Sequence, residues 1–137
     1  MEANGLKSLS APAIGYKRRI FCIDVGTEIK TFINPIPKYS KNISTTIETC
    51  TSIPGKRFLR FRSDKVELMY QRPMGQPMCQ EFSGWLAVLV QHELEHLEGI
   101  LLSDFGLELD DNWEKLNAHE KGEILHEYAD SLDLLTE

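Results

Sequence analysis

Through Phe82 the apolar positions come in short runs and alternations, and beyond it they recur at spacings of three and four. Residues 19–25 (R-I-F-C-I-D-V) read as a strand ended by Gly26-Thr27. Residues 30–34 predict a second strand, stopped by Pro35 and Pro37. Residues 43–49, rich in Ile and Thr, predict a third, and Ile53-Pro54-Gly55 reads as a turn. Residues 58–62 and 65–70 predict two more. In the second of these Val66, Leu68 and Tyr70 alternate with Lys65, Glu67 and Met69, so one face is apolar. Residues 72–77 form a turn before a strand over 78–82. The first fifteen residues carry small and turn-forming types (Gly5, Ser8, Ser10, Ala11, Pro12, Gly15).

The period changes at Ser83, a plausible helix N-cap. Residues 82–99 contain no proline, and Trp85, Leu89, His92 and His96 fall on one helical face, with Gly99 as C-terminal cap. Residues 100–105 read as a short extended piece. A last helix is expected from Asp110 or Asp111 as cap, with Trp113, Leu116, Ile124, Tyr128, Leu132 and Leu135 as its buried stripe. Strands first and helices afterwards predict an α+β fold: small antiparallel sheets around a central helix. We expect a catalytic core over 1–106 and an acidic helix over 107–137 packed on the same domain.

A chain of 137 residues, 42% of them apolar, buries one modest core. The net charge of −6 argues against nucleic-acid binding. It is uneven, because residues 107–137 carry ten acids and two bases, leaving the remainder at +2. A weakly basic body suits a peptide or an anionic partner. No apolar run approaches the roughly 20 residues that cross a bilayer, and the polar start, Met1 to Ser10, carries no signal-peptide pattern. Cys22, Cys50 and Cys79 make an odd count without paired spacing, which reads as thiols in a reducing compartment. A cytoplasmic location follows, or an organelle matrix if a targeting segment has been removed. Cys22 lies in an apolar strand and is expected to pack.

His92-Glu93-Leu94-Glu95-His96 matches H-E-x-x-H. Imidazoles at i and i+4 on one helix face grip one metal ion together, and the glutamate between them is placed to act as base. A third protein ligand is needed. Cys50, at a strand end before a turn, offers a soft thiolate. Glu108 and Glu114 are downstream alternatives, whereas Glu98 is too near the motif to fold back easily. His119 and His126, in the acidic helix, read as solvated surface.

Three separated segments together resemble the peptide deformylase family. Gln91-His92-Glu93-Leu94-Glu95-His96-Leu97-Glu98-Gly99 is similar to its H-E-x-D-H motif. Glu48-Thr49-Cys50-Thr51-Ser52 is similar to E-G-C-L-S, and residues 6–15 (L-K-S-L-S-A-P-A-I-G) to G-x-G-L-A-A-P-Q-x-G. The stretches 19–24, 33–35 and 83–87 also look like the family, so the resemblance covers about residues 5–105. It implies a hydrolase that removes the N-formyl group from the initiator methionine of a new polypeptide, its partner being a formyl-Met peptide or nascent chain. It implies Cys50, His92 and His96 as ligands to one divalent ion, Fe(II) by preference, with Zn, Ni or Co possible. Glu93 would be the acid/base, and the Thr51 backbone N–H an oxyanion donor. The substrate would meet Ser8, Leu9, Ala13, Ile14, Gly15, Glu48, Thr49, Arg57 and Leu89.

The chain departs from these motifs in ways that bear on activity. Ala13 replaces the motif glutamine, whose amide donates to the oxyanion, and losing one such donor costs roughly 10²–10³ in rate. Leu6 and Ser8 replace glycines, Ser10 an alanine, and Thr49 and Thr51 a glycine and a leucine. Glu95 replaces the aspartate, and a pair with Arg62 or Arg57 is expected. An attenuated deformylase is therefore one reading. The others are a lapsed metal- and peptide-binding protein, a metalloprotease and a structural metal domain.

Overall fold

Alternation sets the inner and outer faces of the larger sheet. In the strand Lys65–Gln71 every second residue is buried, with Val66, Leu68 and Tyr70 inward and their polar neighbours outward. The structure is a computed structural model that describes residues 2–3, 6–12, 18–50 and 52–136. Its elements are β1 (Glu2–Ala3), β2 (Leu6–Ser10), β3 (Ile20–Asp24), β4 (Ile29–Tyr39), β5 (Ile43–Cys50), β6 (Ile53–Ser63), β7 (Lys65–Gln71) and β8 (Pro77–Ser83). They continue with α1 (Gly84–Leu97), α2 (Leu102–Phe105), β9 (Leu107–Leu109) and α3 (Ala118–Thr136). The fold is α+β. One antiparallel sheet has the order β1-β2-β3-β4-β7-β8, and a second has β5-β6-β9.

The main core lies where α1 packs on the larger sheet. Phe21, Ile23, Phe32, Val66, Leu68 and Phe82 meet Ala87, Leu89, Val90 and Leu94 there. Each large apolar side chain removed from water contributes about 1.5–3 kcal/mol, so this contact is what fixes α1 in place. A second cluster joins Leu59, Leu109, Trp113 and Tyr128, with Phe61 and Ile124 against it, and seats α3 on the smaller sheet. The rings of Phe61 and Tyr128 stack at 5.2 Å.

Several elements differ from the sequence-based expectation. β4 runs through Pro35 and Pro37 to Tyr39 instead of stopping at Asn34. A register shift between Ile33 and Ile36 absorbs the prolines, and past Ile33 the strand has β7 as its paired neighbour, an edge position that tolerates a missing N–H. Ile53-Pro54-Gly55 is not a turn but the start of β6. The chain reverses just before it, where Cys50 and Ile53 are Cα partners. Residues 6–10, read as turn-forming, form β2 because β3 supplies their ladder. Residues 100–105 contain the short helix α2 instead of an extended piece, with the Leu101 N–H donating to Asp104 at 2.8 Å. α3 is capped by Asn117, not by Asp110 or Asp111. The Asn117 side chain accepts from the Glu120 N–H at 2.8 Å while Glu120 accepts from the Asn117 N–H at 3.1 Å. Trp113 sits in a separate 3₁₀ turn, Trp113–Lys115. Cys22 points to the outer face of β3 and is half-buried, 3.5 Å from the Thr31 hydroxyl, since Phe21 and Ile23 take the inward positions.

Candidate metal centre

Helical spacing puts His92 and His96 one turn apart on the buried face of α1, their ring centroids 4.6 Å apart. β5 ends beside them. Strand alternation sends Glu48 and Cys50 inward while Thr49 between them stays exposed, and the pairing with β6 shifts register over the same residues. The ligand atoms of Cys50, His92 and His96 lie within 4.8 Å of one another, and Cys50 Sγ is 3.6 Å from His96 Nε2. One sulfur and two imidazole nitrogens converging on one point, all buried, fit a single divalent ion of the zinc or ferrous class.

The charges prepare that donor set. Burial pushes the Cys50 thiol up, but hydrogen bonds with His92 and His96 and from the Ser52 backbone outweigh it and bring the thiol down to about 5. The thiolate is the form that binds metal. Burial pulls His96 down, but its bonds to Cys50 and Glu93 raise it to about 9. His92 is raised too, with burial again opposed by Cys50 and Glu48. A thiolate between two imidazoles therefore stands ready to exchange their protons for a cation.

A ring of ionic hydrogen bonds orients the ligands. Glu48, 1% exposed, lies 3.1 Å from His92 Nδ1, which leaves Nε2 of that ring for the metal. Arg62 Nε and Nη2 both donate to Glu48 at 2.8 Å, and its Nη1 donates to Glu95 at 2.7 Å. Thr46 also donates to Glu48, and Arg60 to Glu95. On the other ring, His96 Nδ1 lies 3.1 Å from Glu93 Oε1 and 3.3 Å from the Ser10 hydroxyl. Ser8 donates its hydroxyl to Glu93 Oε2 at 2.9 Å. Burial pushes the Glu93 carboxyl up, yet the His96 hydrogen bond and the two nearby imidazoles hold it below the usual range, so it is an ionised acceptor. Gln91 clamps α1 to β6 through two bonds to the Ser63 backbone, at 2.8 and 2.9 Å.

Some expected roles move. Glu48, expected among the substrate contacts, is buried and engaged by His92 and Arg62. Leu89 is fully buried in the main core and presents no surface to a ligand. Arg57 is engaged with Glu114 and the Asp110 carbonyl, on the side of the strand that faces α3. Glu95 pairs with Arg62 as expected, but its second partner is Arg60. Strand parity explains this, since residues 60 and 62 share a face of β6 and residue 57 lies on the other. Leu9, 48% exposed, and exposed Thr49 point outward, each between two neighbours that face the centre. Ala13, Ile14, Gly15 and Thr51 lie outside the described residues. His119 and His126 are solvent-exposed and pair with Glu123 and Asp130 of their own helix. The parts missed by reading the chain are Arg60, Thr46 and Gln91. The parity of β6 is the signal that finds Arg60.

A family model described as polypeptide deformylase matches residues 1–110. A peptide deformylase of a Picosynechococcus species is 34% identical over 102 residues, covering 70% of this chain and 54% of that one. The crystal structure of peptide deformylase from Thermotoga maritima superposes with a TM-score of 0.68 at 32% identity, covering 74% of this chain and 69% of that one. A peptide deformylase from Synechococcus elongatus in complex with actinonin gives 0.68 at 31% identity, covering 71% and 56%. The chain spans about half the length of the curated relatives it matches.

Proposed function

The chain belongs to the polypeptide deformylase family, and on that premise we propose that it removes the N-formyl group from the initiator methionine of newly made polypeptides by metal-dependent hydrolysis. The observation that carries this reading is the convergence of Cys50, His92 and His96 beside an ionised Glu93. These three residues would hold the metal. Fe(II) is the ion we propose, and Zn, Ni and Co suit the same donors. Once bound, such an ion polarises a carbonyl and acidifies water toward neutrality.

The protein's own part is proton handling and placement. Glu93 takes a proton from the attacking water on its carboxylate and delivers it to the departing amine. Glu48 and Arg62 keep the His92 ring in register, so the donors do not reorganise during the reaction. The Thr51 backbone N–H donates to the developing oxyanion. The family resemblance adds Leu9, Thr49, Ala13, Ile14 and Gly15 as the residues that would meet the peptide. A thiolate third ligand, Cys50, in place of the downstream glutamate or histidine of H-E-x-x-H metalloproteases, argues against a general metalloprotease. Actinonin, which occupies the S. elongatus relative, is a candidate competitor. Among the described residues no helix is long and apolar enough to cross a membrane, and we place the protein in the cytoplasm or an organelle matrix. A lapsed metal- and peptide-binding protein is the alternative, favoured by Ala13 standing where the family motif has glutamine.

Anaerobic loading with Fe(II), and separately with Zn or Ni, followed by deformylation of formyl-Met-Ala-Ser, decides between them. Wild-type turnover that Glu93→Ala abolishes and Ala13→Gln raises by about two orders of magnitude supports a handicapped enzyme. Silence from wild type and Ala13→Gln alike, with metal bound one-to-one, leaves the binder.

A further inference from the structure

β2 brings two serines to α1. Pleating sends Ser8 and Ser10 to one face while Leu9 between them faces out. Ser10, fully buried, lies 3.3 Å from His96 Nδ1. Ser8 donates to Glu93 Oε2 at 2.9 Å across 85 residues of sequence. The other oxygen of that carboxylate, Oε1, lies 3.1 Å from His96 Nδ1. Glu93 is thus held at both oxygens, one by the sheet and one by its own helix.

We propose that Ser8 is a positioning residue for the acid/base: its hydroxyl ties Glu93 Oε2 to β2 and keeps the carboxylate in the one rotamer that lies beside the Cys50–His92–His96 donors. This rests on the hydrolase reading above. A carboxylate has about four lone-pair sites, so one hydroxyl donor and one ring N–H restrain it and still leave it able to take a proton. The restraint is specific to side chains that carry a hydroxyl at position 8. The family motif has glycine there, which cannot make the bond, so in this chain the general base has a support that the motif itself does not supply. Restraining a group that acts in the transition state raises the rate of the chemical step without tightening substrate binding.

The test compares metal-loaded wild type with Ser8→Ala, Ser8→Gly and Ser8→Thr on formyl-Met-Ala-Ser. It records kcat and KM separately, metal affinity by chelator competition, and the unfolding midpoint. We expect Ser8→Ala and Ser8→Gly to lower kcat about tenfold with KM within about twofold, and Ser8→Thr to recover most of the loss. Metal affinity and the midpoint stay at wild-type values. The proposal is overturned if Ser8→Ala matches wild type, if Ser8→Thr is as slow as Ser8→Ala, or if the loss follows metal affinity or the midpoint. Wild type that does not turn over removes the hydrolase reading and this role with it. Wild type that turns over beside an unaffected Ser8→Ala removes this role alone.

Discussion

Replacing Arg62 with methionine withdraws the counter-charge from two carboxylates at once. Arg62 is 4% exposed and Glu48 is 1% exposed, and Arg62 makes two hydrogen bonds to Glu48 and one to Glu95. Burial alone would push the Glu48 carboxyl up, but hydrogen bonds from Arg62 and His92, the Arg62 charge and the Thr46 hydroxyl bring it from 4.5 to about 2. At about 1.4 kcal/mol per pH unit, that depression favours the folded state by about 3–4 kcal/mol, of which Arg62 supplies a part beside His92 and Thr46. The measured cost of removing one partner from a buried ion pair, about 3–5 kcal/mol, is of the same size. We therefore expect Arg62→Met to lose about 3–4 kcal/mol in urea unfolding of the metal-free protein at neutral pH. Because the folded pKa of Glu48 lies below its unfolded value, its stabilisation is complete above 4.5 and disappears as the pH falls toward 2. The gap between wild type and variant must therefore narrow through that window. Metal affinity should fall as well, by about 10–100-fold, because His92 loses its support. A variant within about 1 kcal/mol of wild type at neutral pH, or a gap indifferent to acid, would refute the electrostatic account.

Cys50→Ala should abolish one-to-one metal binding and, in cobalt-loaded protein, the sulfur-to-metal charge-transfer absorption; retention of both would mean that another donor completes the site. Gly106→Ala places a Cβ 2.4 Å from the Leu102 carbonyl oxygen and 3.0 Å from Phe58 Cβ. It should destabilise by about 1–3 kcal/mol through displacement of α2, measured as an unfolding midpoint shift. Arg57→Ala should leave KM for formyl-Met-Ala-Ser within about twofold of wild type, since a side chain spent on Glu114 does not hold substrate.

Much of the architecture is legible along the chain because it is local. Alternation at Val66, Leu68 and Tyr70 is visible in seven residues and decides which face of β7 is buried. The α1 helix is visible in its apolar spacing, and Gly99, at φ +75°, ends it in the left-handed conformation that glycine adopts without strain. Where local signals misled, a tertiary partner prevailed. β2 exists because β3 offers it hydrogen bonds, and β4 passes its prolines because the neighbouring ladder shifts register around them.

The sequence by itself determined the two imidazoles and the carboxylate between them, because a spacing of four on a helix is settled within one turn. It offered Cys50 as a soft thiolate at a strand end, beside Glu108 and Glu114 as alternatives, and motif resemblance favoured the thiol. No short-range rule links that thiol to a ring 46 residues away. Only the tertiary structure decided that Glu48 meets His92 and Arg62, that Glu95 bridges Arg60 and Arg62, and that Ser8 reaches Glu93. Each of these depends on which face of one strand meets which turn of a helix. Sheet register and the packing of the whole core set that jointly, since burial is a property of the assembled surface and not of any segment within it.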